Sequence, residues 1–422
     1  MAGPVALVWR VRLAGLALAI AAALPAATAE TFTAIDRHAL GAPAAVEGSI
    51  PNLAAYLIAP AQSDSAQARA IFRWITDRIV YDTDVLHGAL PVYEGPASVL
   101  QSRRSICRGY AGLFQDLADA AGLEAVTISG YGKSYGYAAG DTFAGPPRHV
   151  WNAVRLAGRW QLLDCTWGAG WVNERGEYAA GFDAHYFLTP PEQFVCDHFP
   201  TEDRWQLLDP SWSLDRFEKQ VYLRSAYFRC GLHDPSRGEA ILTAAGELRL
   251  TLGTPPGIAV SARLVRDDQM LDEALILSQH TAPGYEEIRA LIPADGTYFL
   301  DLFAGRTSDS SYEWVMQYRL QATAAADPTA RFPETYGTFH ERGATLVAPL
   351  TGHLRAGSRE TFRLSVPGAT EVGAVHGGLW TAFTCRGNDF EGSLGVSPGE
   401  LLIAARFGSR TDYDVLLRYL VR

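Results

Sequence analysis

Cysteine is scarce, at 5 among 422 residues, which excludes a scaffold held together by disulfides. Cys107, Cys165, Cys196, Cys230 and Cys385 also lack the close pairing of a structural zinc site, and His185 and His198, which flank Cys196, match no common zinc spacing. Neither a metal nor any other cofactor is expected. No loop offers calcium its ligands. The G-x-S-x-G elbow of a serine nucleophile is missing. Gly132-Lys133-Ser134 imitates the end of a phosphate-binding loop, but Thr127 stands where the earlier glycine is required. Low-complexity tracts and short repeats are absent too, which excludes a solenoid or a linker-dominated chain.

Basic residues are outnumbered: 36 Lys and Arg face 46 Asp and Glu, for a formal net charge of -10. That balance argues against a nucleic-acid partner and reads as a solubility feature rather than a clue to substrate. Long apolar runs are also wanting. The best one, over residues 13–24, holds roughly a dozen apolar residues where a span needs about 20. Arg10 and Arg12 precede it and Ala27-Thr28-Ala29 follows, so it reads as a secretory leader cut before Glu30. Loss of those two arginines takes the charge from -10 to -12. The expected location is secreted or periplasmic, with no membrane span in the mature chain.

What the chain does have is material for packed cores. Its hydrophobic share is 48%, with 10 Trp, 18 Tyr and 18 Phe, enough for two or three domains. Its texture changes near residue 232, from mixed helical and strand patterns to short alternating runs broken by Gly, Pro and Asp. The expected division is a leader over 1–29, a reactive α+β domain over 30–232, and two immunoglobulin-like β-sandwiches over 233–328 and 329–422.

Within the α+β domain, Ala70, Ile71, Trp74, Ile75 and Ile79 recur at helical spacing over residues 66–79. A second helix is expected to start at Ser105, a good N-cap, and to stop at Gly122, with Cys107 in its first turn. Residues 126–130, 150–156 and 160–164 read as strands, the last two joined at Ala157-Gly158. In that hairpin Leu156 faces Arg159, Trp151 faces Asp164 and His149 faces Thr166, which makes His149 and Asp164 diagonal neighbours on one face.

A thiol in the first turn of a helix feels the positive end of the macrodipole, which favours the thiolate that attacks a carbonyl. Arg103, Arg104 and Arg108 push the same way. His149 is then the general base and acid, Asp164 the group that orients its ring, and the Cys107 amide one oxyanion donor. Gln101, Trp74 and Tyr81 are candidates for the second donor. Cys165, one residue past Asp164, is expected to pack in the core rather than to react. Each of the three reactive residues also has a plain structural use, since a buried cysteine is usually inert and an Asp at a strand end often caps a turn.

Ile79-Val80-Tyr81-Asp82, Ser105-Ile106-Cys107-Arg108-Gly109-Tyr110, His149-Val150-Trp151-Asn152 and Trp160-Gln161-Leu162-Leu163-Asp164 together resemble the transglutaminase-like superfamily in order and separation. Asp164-Cys165-Thr166-Trp167-Gly168 and the stretch from His185-Tyr186-Phe187-Leu188 to His198-Phe199-Pro200 resemble its kyphoscoliosis-peptidase-like branch. Ser105 and Cys165 depart from the branch, which often has Gly and Ala there. The resemblance implies a papain-like core and an exported cysteine peptidase or amidase. It would act on a protein or peptide through a Cys107 thioester, with Cys107, His149 and Asp164 as its catalytic residues. A protein cross-linking transglutaminase and a non-catalytic protein-binding module on the same fold are the alternatives.

Overall fold

The structure, a computed structural model, describes residues 27–88 and 95–422. The apolar run over residues 13–24 lies outside them, and Ala27-Thr28-Ala29 opens the helix Ala27–Leu40. No helix among the described residues is long and apolar enough to cross a membrane.

Three apolar cores follow one another along the chain. The first runs from Ile35 to Phe194 and is filled by Trp74, Phe72, Tyr110, Phe114 and Trp151. The helix Asp64–Arg78 starts where Ser63 accepts a hydrogen bond from the Ala66 amide, and buries Ile71, Phe72, Trp74 and Ile75 along one side. It packs with Ile50–Ile58 and Cys107–Ala120 against a five-stranded antiparallel sheet. The sheet order is Phe187–Thr189, Arg159–Leu163, His149–Leu156, Ala125–Gly132, His198–Pro200. This is the α+β architecture expected from the sequence.

The central hairpin turns at Ala157 and Gly158, both at positive φ, and its register pairs Leu156 with Arg159 and Asn152 with Leu163. The expected pairing thus holds as far as Leu163, where the strand stops. Asp164 does not continue it. Its Oδ1 accepts from the Thr166 and Trp167 amides at 2.7 and 3.3 Å and so caps a short helix, Cys165–Ala169. Capping by an aspartate satisfies amides that a strand would have left to a partner, which is why strand alternation ends one residue early. Cys165 therefore sits on a helix and not on a strand, and is buried in the core as expected.

The second core is wrapped by one curled sheet of nine strands, whose strand Ile258–Arg266 comes back to face Ile276–Ala282. Tyr222 and Leu223 pair with Gln317 and Met316 in this sheet, and Val221, Tyr227 and Leu232 join its core. The chain thus enters the second unit ahead of the change in texture at residue 232. The third core lies between a six-stranded and a four-stranded sheet and holds Phe362, Ile403 and Tyr419.

The segment that delivers His149 to the first unit is held by the second. Within it the Ala139 amide donates to Gln317 Oε1 at 2.8 Å, Asp141 pairs with Arg319 at 2.5 Å, and the Phe143 amide donates to Glu218 Oε1 at 2.7 Å. The position of the candidate site therefore depends on both units.

Candidate active site

Cys107 is the first residue of the helix Cys107–Ala120, and its N-cap is Ile106 rather than Ser105. Ser105 is occupied elsewhere: it pairs with Tyr81 in a two-residue parallel bridge. Ile106 offers no side-chain cap and its carbonyl takes the Gly109 amide at 2.9 Å, so the Cys107 and Arg108 amides are the ones that can serve as anion donors. The helix is fixed to the sheet by Asn152, which is buried and donates from Nδ2 to Ala111 O at 3.0 Å and to Val126 O at 3.2 Å. The thiol is 6% exposed, and its Sγ lies 3.7 Å from Arg148 O.

His149 opens the central strand beside it. Its Nε2 lies 2.7 Å from Asp164 Oδ2, and the Cys107 side chain is near enough to act on the same ring. With Nε2 committed to the carboxylate, Nδ1 is the atom left for the thiol. Cys107, His149 and Asp164, which the sequence named, are therefore neighbours, with the last two in direct contact. The contact between the last two runs from strand to helix cap instead of diagonally across a hairpin, because Thr166 lies within the capped helix and cannot face His149.

The His149 ring is stacked on Trp167, with centroids 4.8 Å apart and planes 23° apart. On another side runs the backbone of Gly132, where an added Cβ would come within 3.0 Å of Trp167 and 3.1 Å of His149. Burial opposes charge on both His149 and Asp164, but their pairing outweighs it. The carboxylate, with a further push from Cys107, raises His149 from its ordinary value to about 10. The two imidazoles nearby hold Asp164 well below the usual carboxylate range. The pairing thus favours the imidazolium form of the ring, the counter-ion that a thiolate would need.

Of the three proposed second oxyanion donors, Trp74 is spent, since its Nε1 donates to Glu47 at 2.9 Å. Gln101 is exposed at the end of the helix Pro96–Ser102. Tyr81 is close enough to the site that, after burial, the charges of Cys107 and Asp164 act on its hydroxyl and raise its pKa. It stays a neutral phenol and so a hydrogen-bond donor. A cavity of about 320 Å³ opens beside His149, bounded by Tyr131, Tyr137, Phe143 and Arg148.

One residue set aside from the sequence belongs here. His198, fully buried, reaches Asp164 Oδ2 with Nε2 at 3.1 Å. The only sequence signal for it was the branch-like run His198-Phe199-Pro200. His185, its companion in the rejected zinc reading, instead stacks on Phe228 at 5.2 Å. One polar atom each from His149, Asp164 and His198 falls within 4.8 Å of the others, a spacing a metal ion could use. Each of those atoms is also within hydrogen-bond distance of its neighbour, and hydrogen bonding accounts for the group. All five cysteines are free.

Residues 51–165 match the transglutaminase-like superfamily, and residues 214–334 match the KY-like, immunoglobulin-like domain. The first match includes Cys107, His149 and Asp164 and ends before His198. Kyphoscoliosis peptidase of Mus musculus is 33% identical over 278 residues, which are 65% of this chain and 41% of that protein. Hillarin of Drosophila melanogaster is 30% identical over 310 residues, 67% of this chain and 37% of that protein. The chain thus spans about two fifths of the length of the curated relatives it matches. A crystal structure of red sea bream transglutaminase aligns over 93% of this chain and 73% of that one, at 9% identity and a TM-score of 0.23.

Proposed function

For a chain that carries a transglutaminase-like domain followed by a KY-like immunoglobulin-like domain, we propose a cysteine peptidase or amidase that works through a thioester on Cys107. The observation that carries this reading is the placing of His149, bonded at Nε2 to Asp164 and near enough to Cys107 for the two side chains to act on each other. A buried imidazolium between a carboxylate and a thiol is the arrangement a thiolate nucleophile requires.

In the proposed reaction the Cys107 sulfur adds to the carbonyl carbon of an amide, and the oxyanion is met by the open amides of the helix end and by Tyr81. The carbon–nitrogen bond then breaks as His149 passes its Nδ1 proton to the leaving amine. Water adds to the thioester and gives a proton back to Nδ1. The carbon–sulfur bond breaks, an acid leaves, and the thiolate–imidazolium pair is restored. Asp164 keeps its charge throughout and holds the ring in place. The cavity beside His149 gives a peptide a place to lie next to that ring.

A lysine amine in place of water would make the same intermediate a cross-linking one. The name peptidase borne by the mouse relative supports water as the acceptor. The test is to incubate the protein with casein and a fluorescent primary amine, counting new N-termini and amine incorporated into casein. Hydrolysis predicts new N-termini that disappear with Cys107→Ala; amine incorporation without them would replace the peptidase reading with the transferase one. Export is proposed on the leader pattern of Arg10, Arg12, the apolar run and Ala27-Thr28-Ala29. Protein recovered outside the cytoplasm should begin at Glu30, and an intact Met1 there would refute the cut.

A further inference from the structure

We propose that His198 is a positioning residue of the reactive cluster, which acts through Asp164 to set how tightly His149 holds its proton. The inference rests on the reading of Cys107 and His149 as the reacting pair, and concerns a group beyond the three residues that reading uses.

Asp164 has every acceptor position filled. Oδ1 takes the Thr166 and Trp167 amides, and Oδ2 takes Nε2 of both His149, at 2.7 Å, and His198, at 3.1 Å. The far side of the His198 ring is engaged as well, with Nδ1 2.6 Å from Asp197 Oδ1, while Asp197 Oδ2 accepts from the Tyr186 hydroxyl at 2.9 Å. Two carboxylates thus face the two nitrogens of one ring. A neutral imidazole carries one N–H and one lone pair, so one of those contacts would set a lone pair against a carboxylate oxygen. The geometry therefore calls for one extra proton in the His198–Asp197 pair, on the ring or on the acid. Either way the pair is neutral as a unit and donates from Nε2 into Asp164.

The ring cannot turn away from this task. Phe194 stacks on it at 4.0 Å, Trp167 lies at 4.2 Å, and Trp151 meets it edge-on at 5.0 Å. The charged and titratable groups facing it are few. Asp164 comes from the cap of the helix Cys165–Ala169, His149 from the central strand at 5.2 Å, Asp197 from its own segment, and Tyr186 and His185 from the turn Ala184–Tyr186. Lys133, also buried, lies near enough to feel the charge of Asp197. A plain core histidine would need neither two carboxylates nor a direct bond to the group that holds the reactive ring.

The consequence is a shared charge. With His198 donating, the negative charge of Asp164 is divided between two imidazoles, so His149 gives up its proton to a leaving amine more readily than if it held the carboxylate alone. Without His198, the imidazolium should persist to higher pH, and transfer to the leaving group should slow.

The experiment is alkylation of Cys107 by iodoacetamide across pH, followed by peptide mapping, in wild type, His198→Leu and His198→Gln. The limb of the rate profile that marks loss of the His149 proton should move up by about half a pH unit or more in His198→Leu and return toward wild type in His198→Gln, whose amide can donate in place of Nε2. A folded His198→Leu protein with an unshifted profile would overturn the proposal. Should His198→Leu fail to fold, nitrogen-15 spectra of histidine-labelled wild type decide instead. They should show a proton on His198 Nε2 whose signal moves on alkylation of Cys107, and a bare Nε2 overturns the proposal. Failure of the underlying reading looks different: wild-type Cys107 would then show no fast alkylation at all.

Discussion

Asp164 and Asp301 are both carboxylates buried to within a few per cent, one in the first unit and one in the sandwich that follows. Asp301 is closed by Arg263 Nε at 2.9 Å and Gln317 Nε2 at 2.8 Å. Neither partner can give up a proton under ordinary conditions, since a guanidinium stays charged and an amide stays neutral. Asp164 is closed by two amides and two imidazoles, and one of those imidazoles continues to a thiol. Burial of charge is common to both. What separates a structural carboxylate from one that can serve chemistry is whether its partners exchange protons at neutral pH and touch a nucleophile.

The sharpest way to break this comparison is to neutralise each carboxylate in turn. Asp164→Asn should slow alkylation of Cys107 and any turnover by roughly 10²–10⁴-fold, as the ring loses its charge partner. Asp301→Asn should cost about 1–3 kcal/mol of stability, seen in urea unfolding, through its bond to Arg263, and leave the Cys107 rate unchanged. A comparable loss of rate in both proteins would erase the distinction.

Next in size is the effect of Gly132→Ala. The added Cβ would press on His149 and Trp167 at 3.0–3.1 Å, so the rate should fall about tenfold with about 1 kcal/mol or less of lost stability. Wild-type rates in that protein would mean that the His149 ring has slack.

The pH dependence of stability should differ between the regions in the same sense. His149 is raised above its ordinary value of 6.5 to about 10, so the stability it contributes is complete below 6.5 and is lost as pH rises toward 10. Asp164 is lowered, so its contribution is complete above the ordinary carboxylate value and is lost as pH falls below it. The melting temperature should therefore fall on both sides. Asp164→Asn should flatten the alkaline loss, because the group that raises His149 is gone, whereas Asp301→Asn should leave that slope in place.

The smallest effect expected is one that crosses the two regions. Gln317 accepts from the Ala139 amide while it donates to Asp301, so Gln317→Ala should loosen the segment that leads to His149. A two- to fivefold loss in the Cys107 rate is the expected result, on the order of the coupling between groups in one network. No change would mean that the sandwich does not help to hold the site.

That Cys107, His149 and Asp164 come near one another could be read from the sequence because each lies in a short run of fixed character: a helix start, a strand start and a hairpin end. The hairpin register could be read for the same reason, since Ala157-Gly158 allows a two-residue turn at positive φ. The route by which Asp164 reaches His149 could not be read. Strand alternation and N-cap preference compete at that residue, and only the amides of Thr166 and Trp167 decide the outcome. Ser105 does not cap the helix for a related reason: it pairs with Tyr81, and Ile106 takes the cap position. His198 was hidden by distance. It lies 34 residues past Asp164, on the strand at the far edge of the sheet, and arrives only when that strand pairs with Tyr131 and Gly132. The sandwich pattern predicted β-structure but not that its sheet would reach back to Tyr222 and hold the His149 segment.

The central claim is that Cys107 is an activated thiolate paired with His149, and the molecule carries its own control in Cys385, which is free and exposed. The most direct test is iodoacetamide labelling of wild type, Cys107→Ala and His149→Ala across pH, with the labelled peptides identified by mass spectrometry. The account predicts that Cys107, though only 6% exposed, labels fastest at neutral pH. It also predicts that this fast phase vanishes in Cys107→Ala and slows at least tenfold in His149→Ala. Labelling of Cys107 no faster than that of Cys385, and indifferent to His149, would contradict it.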